Sequence, residues 1–306
     1  MSQLPEVALM VEGQNGLNWP RWQRLARAAE DLGFVGLFRS DHFTNARPPD
    51  KDSLELWVSL TYFATHTRRL EFGPLVTPLS FRHPVHTARM ARDVDDLSGG
   101  RLVLGLGAGW QEREHRMFGF PLGSLRERFD RLAEGLEVVT RLLRSPEPVT
   151  FHGRYFHLEG AVLLPRPARP GGPRILIGGN GPRRTLPLVA RYADEWNALF
   201  LPPERFAALN ARLDALLHAA GREPTAVRRS MMTGLVFGRD QAELARRLEG
   251  RASAEDLRAR GLIVGTPEQV REQLAALAAV GVQRVMLQWL DLDDLEGLTA
   301  LAEAVL

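Results

Sequence analysis

The chain has 306 residues, 44% of them hydrophobic and 25% charged, a balance that suits a globular fold with a large core. No run approaches about 18 apolar residues, so no transmembrane helix is expected. The absence of cysteine excludes disulfides, thiolate metal sites and a cysteine nucleophile. The sequence pI near 9.5 overstates a formal charge of only +2, because Lys51 is the sole lysine and little titrates between neutrality and high pH. No basic run interleaved with aromatics points to nucleic acid. The opening Met1-Ser2-Gln3-Leu4-Pro5 has neither the basic nor the apolar stretch of a signal peptide, and with no cysteine a cytoplasmic location is expected.

Val7 to Val11 is the first predicted strand. A helix follows with Trp22, Leu25, Ala29 and Leu32 on one face and Gly33 as its C-cap. Phe34 to Phe38 is the second strand, and Leu54, Trp57, Leu60 and Ala64 mark the next helix. Leu70 to Val76 is the third strand, followed by a helix with Val85, Ala88, Ala91, Val94 and Leu97 inward. Ser98-Gly99-Gly100 turns the chain into a fourth strand, Arg101 to Leu106.

The strongest helical period carries Leu125, Phe129, Leu132, Leu136, Val139 and Leu143, opened by a capping box of Ser124 and Glu127. Residues 146–173 lack a helical period, contain a small hairpin around Phe151 to Tyr155, and read as an insertion before strand five, Arg174 to Ile177. Strand six is short, Glu195 to Ala198. A helix with Phe206, Leu209, Leu213, Leu216 and Ala220 leads to strand seven, Met231 to Phe237. Thr266-Pro267-Glu268-Gln269 opens another helix before strand eight, Val285 to Trp289. Eight strands alternating with helices, and no linker, predict one α/β domain over residues 1–306, a (β/α)8 TIM barrel. A doubly wound open sheet is the alternative, and the strand count favours the barrel.

In a barrel, function gathers where strands end and βα loops begin. Three such junctions stand out: Ser40-Asp41-His42-Phe43, the run Gly105-Leu106-Gly107-Ala108-Gly109-Trp110, and Gly178-Gly179-Asn180-Gly181-Pro182. The glycine run lacks the spacing of a dinucleotide fingerprint. Its alternating glycines either ease a tight turn or strip side chains so that a flat ring meets the backbone. The third junction, opening a helix with Arg183 and Arg184 adjacent, is a candidate anion cradle, or else a loop with solvated arginines. His42 can give or take a proton near neutrality, although a histidine beside Asp41 also suits a structural pair. Glu112, Glu114 and His115 are expected on a solvated helix face, and no histidine–carboxylate spacing suggests a metal.

Taken in order, Ser40-Asp41-His42, Arg82-His83-Pro84, Asp95 to Arg101, Leu104 to Trp110, Ile177-Gly178-Gly179 and Ala193 to Asn197 resemble the bacterial-luciferase-like superfamily over nearly the whole chain. Within it the chain most resembles the deazaflavin-dependent branch that uses coenzyme F420. That branch includes methylenetetrahydromethanopterin reductase and alcohol and sugar-phosphate dehydrogenases. The resemblance implies a cofactor lying across the barrel mouth with Asp41 and His42 beside its ring, His42 handling the proton. It implies a non-prolyl cis peptide near Pro74-Leu75-Val76-Thr77 that supports the ring, with Leu75, Val76 and Thr77 as contacts. Gly107, Ala108 and Gly109 would meet the cofactor tail, and Gly178, Gly179, Asn180 and Gly181 its phosphate.

One departure is Trp110, where the sugar-phosphate dehydrogenases carry glutamate; this argues against glucose 6-phosphate and for a more apolar pocket. The implied activity is hydride transfer between coenzyme F420 and a small organic molecule, in a homodimer. The alternative is an FMN-dependent monooxygenase using reduced flavin and oxygen. A third reading is a flavin-binding protein without catalysis. The loops at residues 43–53, 110–123 and 146–173 would set the substrate and carry no readable code.

Overall fold

The computed structural model describes residues 4–306; Met1, Ser2 and Gln3, part of the opening examined for a signal peptide, lie outside the described residues. Strands and helices alternate from the start: β1 (Glu6–Val11), α1 (Trp19–Leu32), β2 (Gly36–Arg39), α2 (Leu56–His66), β3 (Glu71–Pro74), β4 (Thr77–Pro78), α3 (Pro84–Leu97), β5 (Val103–Gly107), α4 (Glu112–Phe118) and α5 (Leu125–Arg144). Then come β6 (Val149–His152), β7 (His157–Ala161), β8 (Arg174–Gly178), α6 (Thr185–Tyr192), β9 (Glu195–Leu199), α7 (Pro203–Ala219) and β10 (Arg228–Phe237). The chain finishes with α8 (Gln241–Leu248), α9 (Ala254–Ala259), β11 (Ile263–Gly265), α10 (Pro267–Ala279), β12 (Arg284–Gln288) and α11 (Leu295–Val305).

Parallel pairing runs β3-β2-β1-β12-β10-β9-β8-β5-β4, and a bridge between Phe72 and Leu102 brings β3 to β5, so the strands form a nearly closed barrel. The expected third strand is broken into β3 and β4 at Leu75–Val76, whose peptide bond is cis. Gly105 and Gly107 make room for this break. A Cβ on Gly105 would meet Pro74 O at 2.1 Å, and one on Gly107 would meet Val76 Cγ2 at 2.4 Å. The bareness of β5 therefore makes room for its neighbouring strand, a role that neither the tight-turn nor the ring-approach reading of these glycines names.

Local signals explain the helices. Asn18 Oδ1 accepts from Arg21 N to start α1, and Gly33 ends it at φ +97°. Both expected capping boxes, at Ser124 with Glu127 and at Thr266 with Gln269, are formed. Leu97 and Leu125 are exposed, not inward as the period suggests, because they end α3 and begin α5 where those helices leave the core. Between the fourth and fifth barrel strands, β6 and β7 pair as an antiparallel hairpin. The short elements α4, α8, α9 and β11 have too little period to be seen in sequence.

Side chains alternate across each strand, so every second residue faces the barrel interior. Ala8, Met10, Phe38, Leu75, Val103, Leu176, Met232 and Met286 pack there, while a larger apolar shell joins the strands to the helices. Beneath them lies a floor of charges, because six barrel strands open on an ionisable residue: Glu6, Glu71, Arg174, Glu195, Arg228 and Arg284. Arg284, 1% exposed, reaches Glu6 at 3.0 Å, Glu71 at 2.5 Å and Glu195 at 3.4 Å. Arg174 pairs with Glu71, and Arg228 with Glu6 at 3.3 Å. Three carboxylates and three guanidinium groups thus close the bottom of the barrel.

Candidate active site

At the other end, where the strands finish, a cavity of about 570 Å³ opens. That is within the range of small-molecule and cofactor sites. Leu75, Val76, Pro78, Gly107, Ala108 and Gly109 form one mostly apolar wall. Glu12, Gln14 and Gln288 form a polar one, and His42 and Trp110 stand on the lining between these groups.

His42 sits just past β2, and its backbone oxygen accepts from Ser53 Oγ at 2.6 Å. Its Nδ1 lies 2.7 Å from Glu114 Oε1, while Glu114 Oε2 accepts from Phe43 N at 3.0 Å. Glu114, on α4, is 1% exposed, so its carboxylate is spent on this one loop. A carboxylate partner places the proton on Nδ1 and leaves Nε2 for the cavity. Burial disfavours the imidazolium, but the Glu114 carboxylate outweighs it, and the pKa of His42 is raised above its ordinary value. The Trp110 ring meets the imidazole edge-on, with centroids 5.6 Å apart.

Asp41 takes a different part. It is buried behind the cavity lining, accepting from Thr77 Oγ1 at 2.6 Å and from Arg82 Nη1 at 2.5 Å. Arg82 also holds Glu55 at 2.8 Å. Asp41 and Thr77 thereby fasten the loop carrying His42 to the strand break at Leu75–Val76. His42 and Asp41, adjacent in sequence, point to different partners.

Gly178 lines the cavity, whereas Gly179, Asn180 and Gly181 lead away from it to α6. Asn180 is stitched to Leu199 by two hydrogen bonds, Nδ2 to O at 2.7 Å and Leu199 N to Oδ1 at 2.9 Å. Gly181 O accepts from Thr185 N and Leu186 N, which starts α6. Arg183 and Arg184 are exposed, and the Arg184 guanidinium lies over the Phe129 ring at 5.7 Å.

The expectation of a solvated face for Glu114 and His115 is overturned: both are buried, at 1% and 2% exposure. Gln111, Glu114 and His115 share one face of α4 by their spacing, and that polar face is the inward one. Gln111 Nε2 donates to Thr44 O, and His115 is tied to Gln111 O and Ser80 Oγ. Glu12, Gln14 and Gln288 were also unread. Both amides donate to the Glu12 carboxylate, at 2.9 and 2.6 Å. A polar i, i+3, i+4 trio just after a glycine-ended barrel strand was the available signal for Glu114. Among the described residues no group of three or more His, Asp or Glu side chains is arranged to hold a metal.

A flavin-type cofactor fits what is present: an apolar wall at the strand break, glycines within it, and on the lining a histidine whose Nδ1 is held by a carboxylate. The sequence profile of the luciferase-like monooxygenases matches residues 5–255. The chain is 33% identical over 266 residues to the F420-dependent hydroxymycolic acid dehydrogenase of Mycobacterium tuberculosis, covering 86% of this chain and 70% of that one. Several other curated relatives are matched over only about half their length. In three dimensions it is similar to an F420-dependent secondary alcohol dehydrogenase, with a TM-score of 0.85, 18% identity, and coverage of 99% and 100%. It is also similar to a monooxygenase from Streptomyces bottropensis, with a TM-score of 0.81, 23% identity and 98% of each chain covered. With its barrel, its strand break and a profile match over most of its length, the chain belongs to the luciferase-like monooxygenase family.

Proposed function

We propose that this protein is an oxidoreductase passing a hydride between coenzyme F420 and a small organic substrate held in the mouth cavity. The observation that carries the reading is His42, tethered through Nδ1 to buried Glu114 and standing on the lining of a cavity with a mostly apolar wall. The F420-dependent dehydrogenase relative supports the choice of cofactor. When bound, the deazaflavin supplies a carbon-centred carrier of two electrons.

Leu75, Val76 and Thr77, with Gly107, Ala108 and Gly109, would hold the ring and the start of its tail. Gly178 to Gly181 would direct the phosphate toward α6, and Asp41 would brace the ring-side loop. His42 Nε2 gives a proton to the substrate oxygen or takes one from it, according to the direction of reaction. Glu114 fixes the tautomer and stabilises the imidazolium, and Trp110 and Met232 keep water from the reacting atoms.

The test is direct titration of the protein with coenzyme F420 and with FMN. Preferential F420 binding, followed by hydride transfer to a carbonyl or enoyl compound, is the expected result; binding of neither would sink the reading. An FMN-dependent monooxygenase is the second reading, favoured by the likeness to the Streptomyces monooxygenase. Oxygen uptake with reduced FMN would put it first.

The same reading takes residues 1–306 as one working unit, located in the cytoplasm as the lack of cysteine suggests. No helix among the described residues is long and apolar enough to cross a membrane. A homodimer is part of the proposal, as members of this superfamily commonly dimerise. Sedimentation equilibrium would reveal it.

A further inference from the structure

Asn197, on β9, belongs to the lining of the cavity and is fully buried at its base. A short relay fixes which way its amide faces. Ser230 Oγ donates to Trp196 O at 3.2 Å, which uses its single hydroxyl proton, so at 2.9 Å it accepts from Asn197 Nδ2. The same Nδ2 lies 3.5 Å from Met286 Sδ, a weak acceptor. Turning the amide over would require the Ser230 hydroxyl to give up Trp196 O and would face Oδ1 toward Met286 Sδ, which has no proton to give. Asn197 Oδ1 is thus the remaining atom, and it has no hydrogen-bond partner among the described residues. A buried acceptor left without a donor is uncommon and calls for an explanation.

We infer that Asn197 Oδ1 accepts a hydrogen bond from the imide N–H of a flavin-type ring, which makes Asn197 a cofactor-anchoring residue. The inference rests on the proposed function. The pyrimidine edge of such a ring offers one imide donor between two carbonyls, and it keeps that donor in both redox states. Around the barrel, β9 lies opposite β2, so Asn197 and His42 face each other across the cavity. One grips the far edge of the ring while the other attends to the substrate. The walls near Asn197, from Val76, Gly178 and Met232, offer no competing donor side chain.

The test is fluorescence titration with coenzyme F420 and with its N3-methylated derivative, which lacks the donor. Wild type is expected to bind the methylated compound about tenfold or more weakly, the effect of stranding a buried acceptor. Asn197→Ala, checked for an unchanged circular dichroism spectrum, is expected to bind parent F420 similarly weakly and to lose little more on methylation. The comparison on wild type stands even if the variant does not fold. Equal binding of parent and methylated cofactor by wild type, or undiminished parent binding by Asn197→Ala, overturns the inference while leaving the proposed function intact. If wild type binds neither F420 nor FMN, the proposed function fails first and takes this inference with it.

Discussion

The two ends of the barrel use ionisable side chains in opposite ways. At the floor, Glu6, Glu71 and Glu195 meet Arg174, Arg228 and Arg284, and each carboxylate has a guanidinium partner. At the mouth, Glu114 is committed to one loop, through His42 Nδ1 and Phe43 N, and the histidine keeps its other nitrogen in hand. Burial is deep in both places, since Arg284 and Glu114 are each 1% exposed. Charges that are mutually paired hold a shape, whereas a pair left open on one side can exchange a proton. The contrast follows the general division of such barrels, in which the strand C-termini carry the chemistry.

Breaking the floor should cost the most. Arg284→Met strands buried carboxylates, and a loss of about 3–5 kcal/mol in unfolding free energy is expected. Urea denaturation would measure it, while the cofactor affinity of the folded fraction should stay unchanged. An equal loss of affinity would show that the two ends are not separate. His42→Ala should do the reverse, lowering kcat by about 10²–10⁴-fold with little change in melting temperature.

Glu114→Gln sharpens the mouth further. Without the carboxylate, burial is opposed only by the more distant charges of Glu12 and Asp41, so the pKa of His42 should fall from its raised value. In the native protein the favourable pairing is complete below about pH 6.5 and fades as pH rises through the higher folded pKa. The reaction direction that needs a proton donor should therefore persist to higher pH in wild type than in the variant. Proton NMR of the imidazole would give the pKa directly. The smallest effect, read from initial rates, is expected from Trp110→Ala: a rise in KM for apolar substrates with a smaller fall in kcat, because the ring also packs on His42.

Much of the barrel was legible because its signals are local: alternating strands, Gly33 as a helix stop, and capping boxes at Ser124 and Thr266. His42 could be singled out by its position after a strand. Its partner could not, since Glu114 lies 72 residues away on a seven-residue helix whose polar inner face imitates a solvated one. Asp41 looked like that partner by adjacency, yet strand-end geometry turns it toward Arg82, 41 residues on. The floor escaped notice for a related reason. A charge opening a strand reads as a boundary until six strands are brought into one ring.

The segment that follows β5 presents Trp110 to the cavity and, one helical turn later, buries Glu114 beneath it. Selection or a randomised library acting on position 110 can therefore reshape what enters, and the packing on one side of His42, while the Glu114–His42 hydrogen bond stays in place. A scaffold built this way can diversify its chemical repertoire one rim residue at a time.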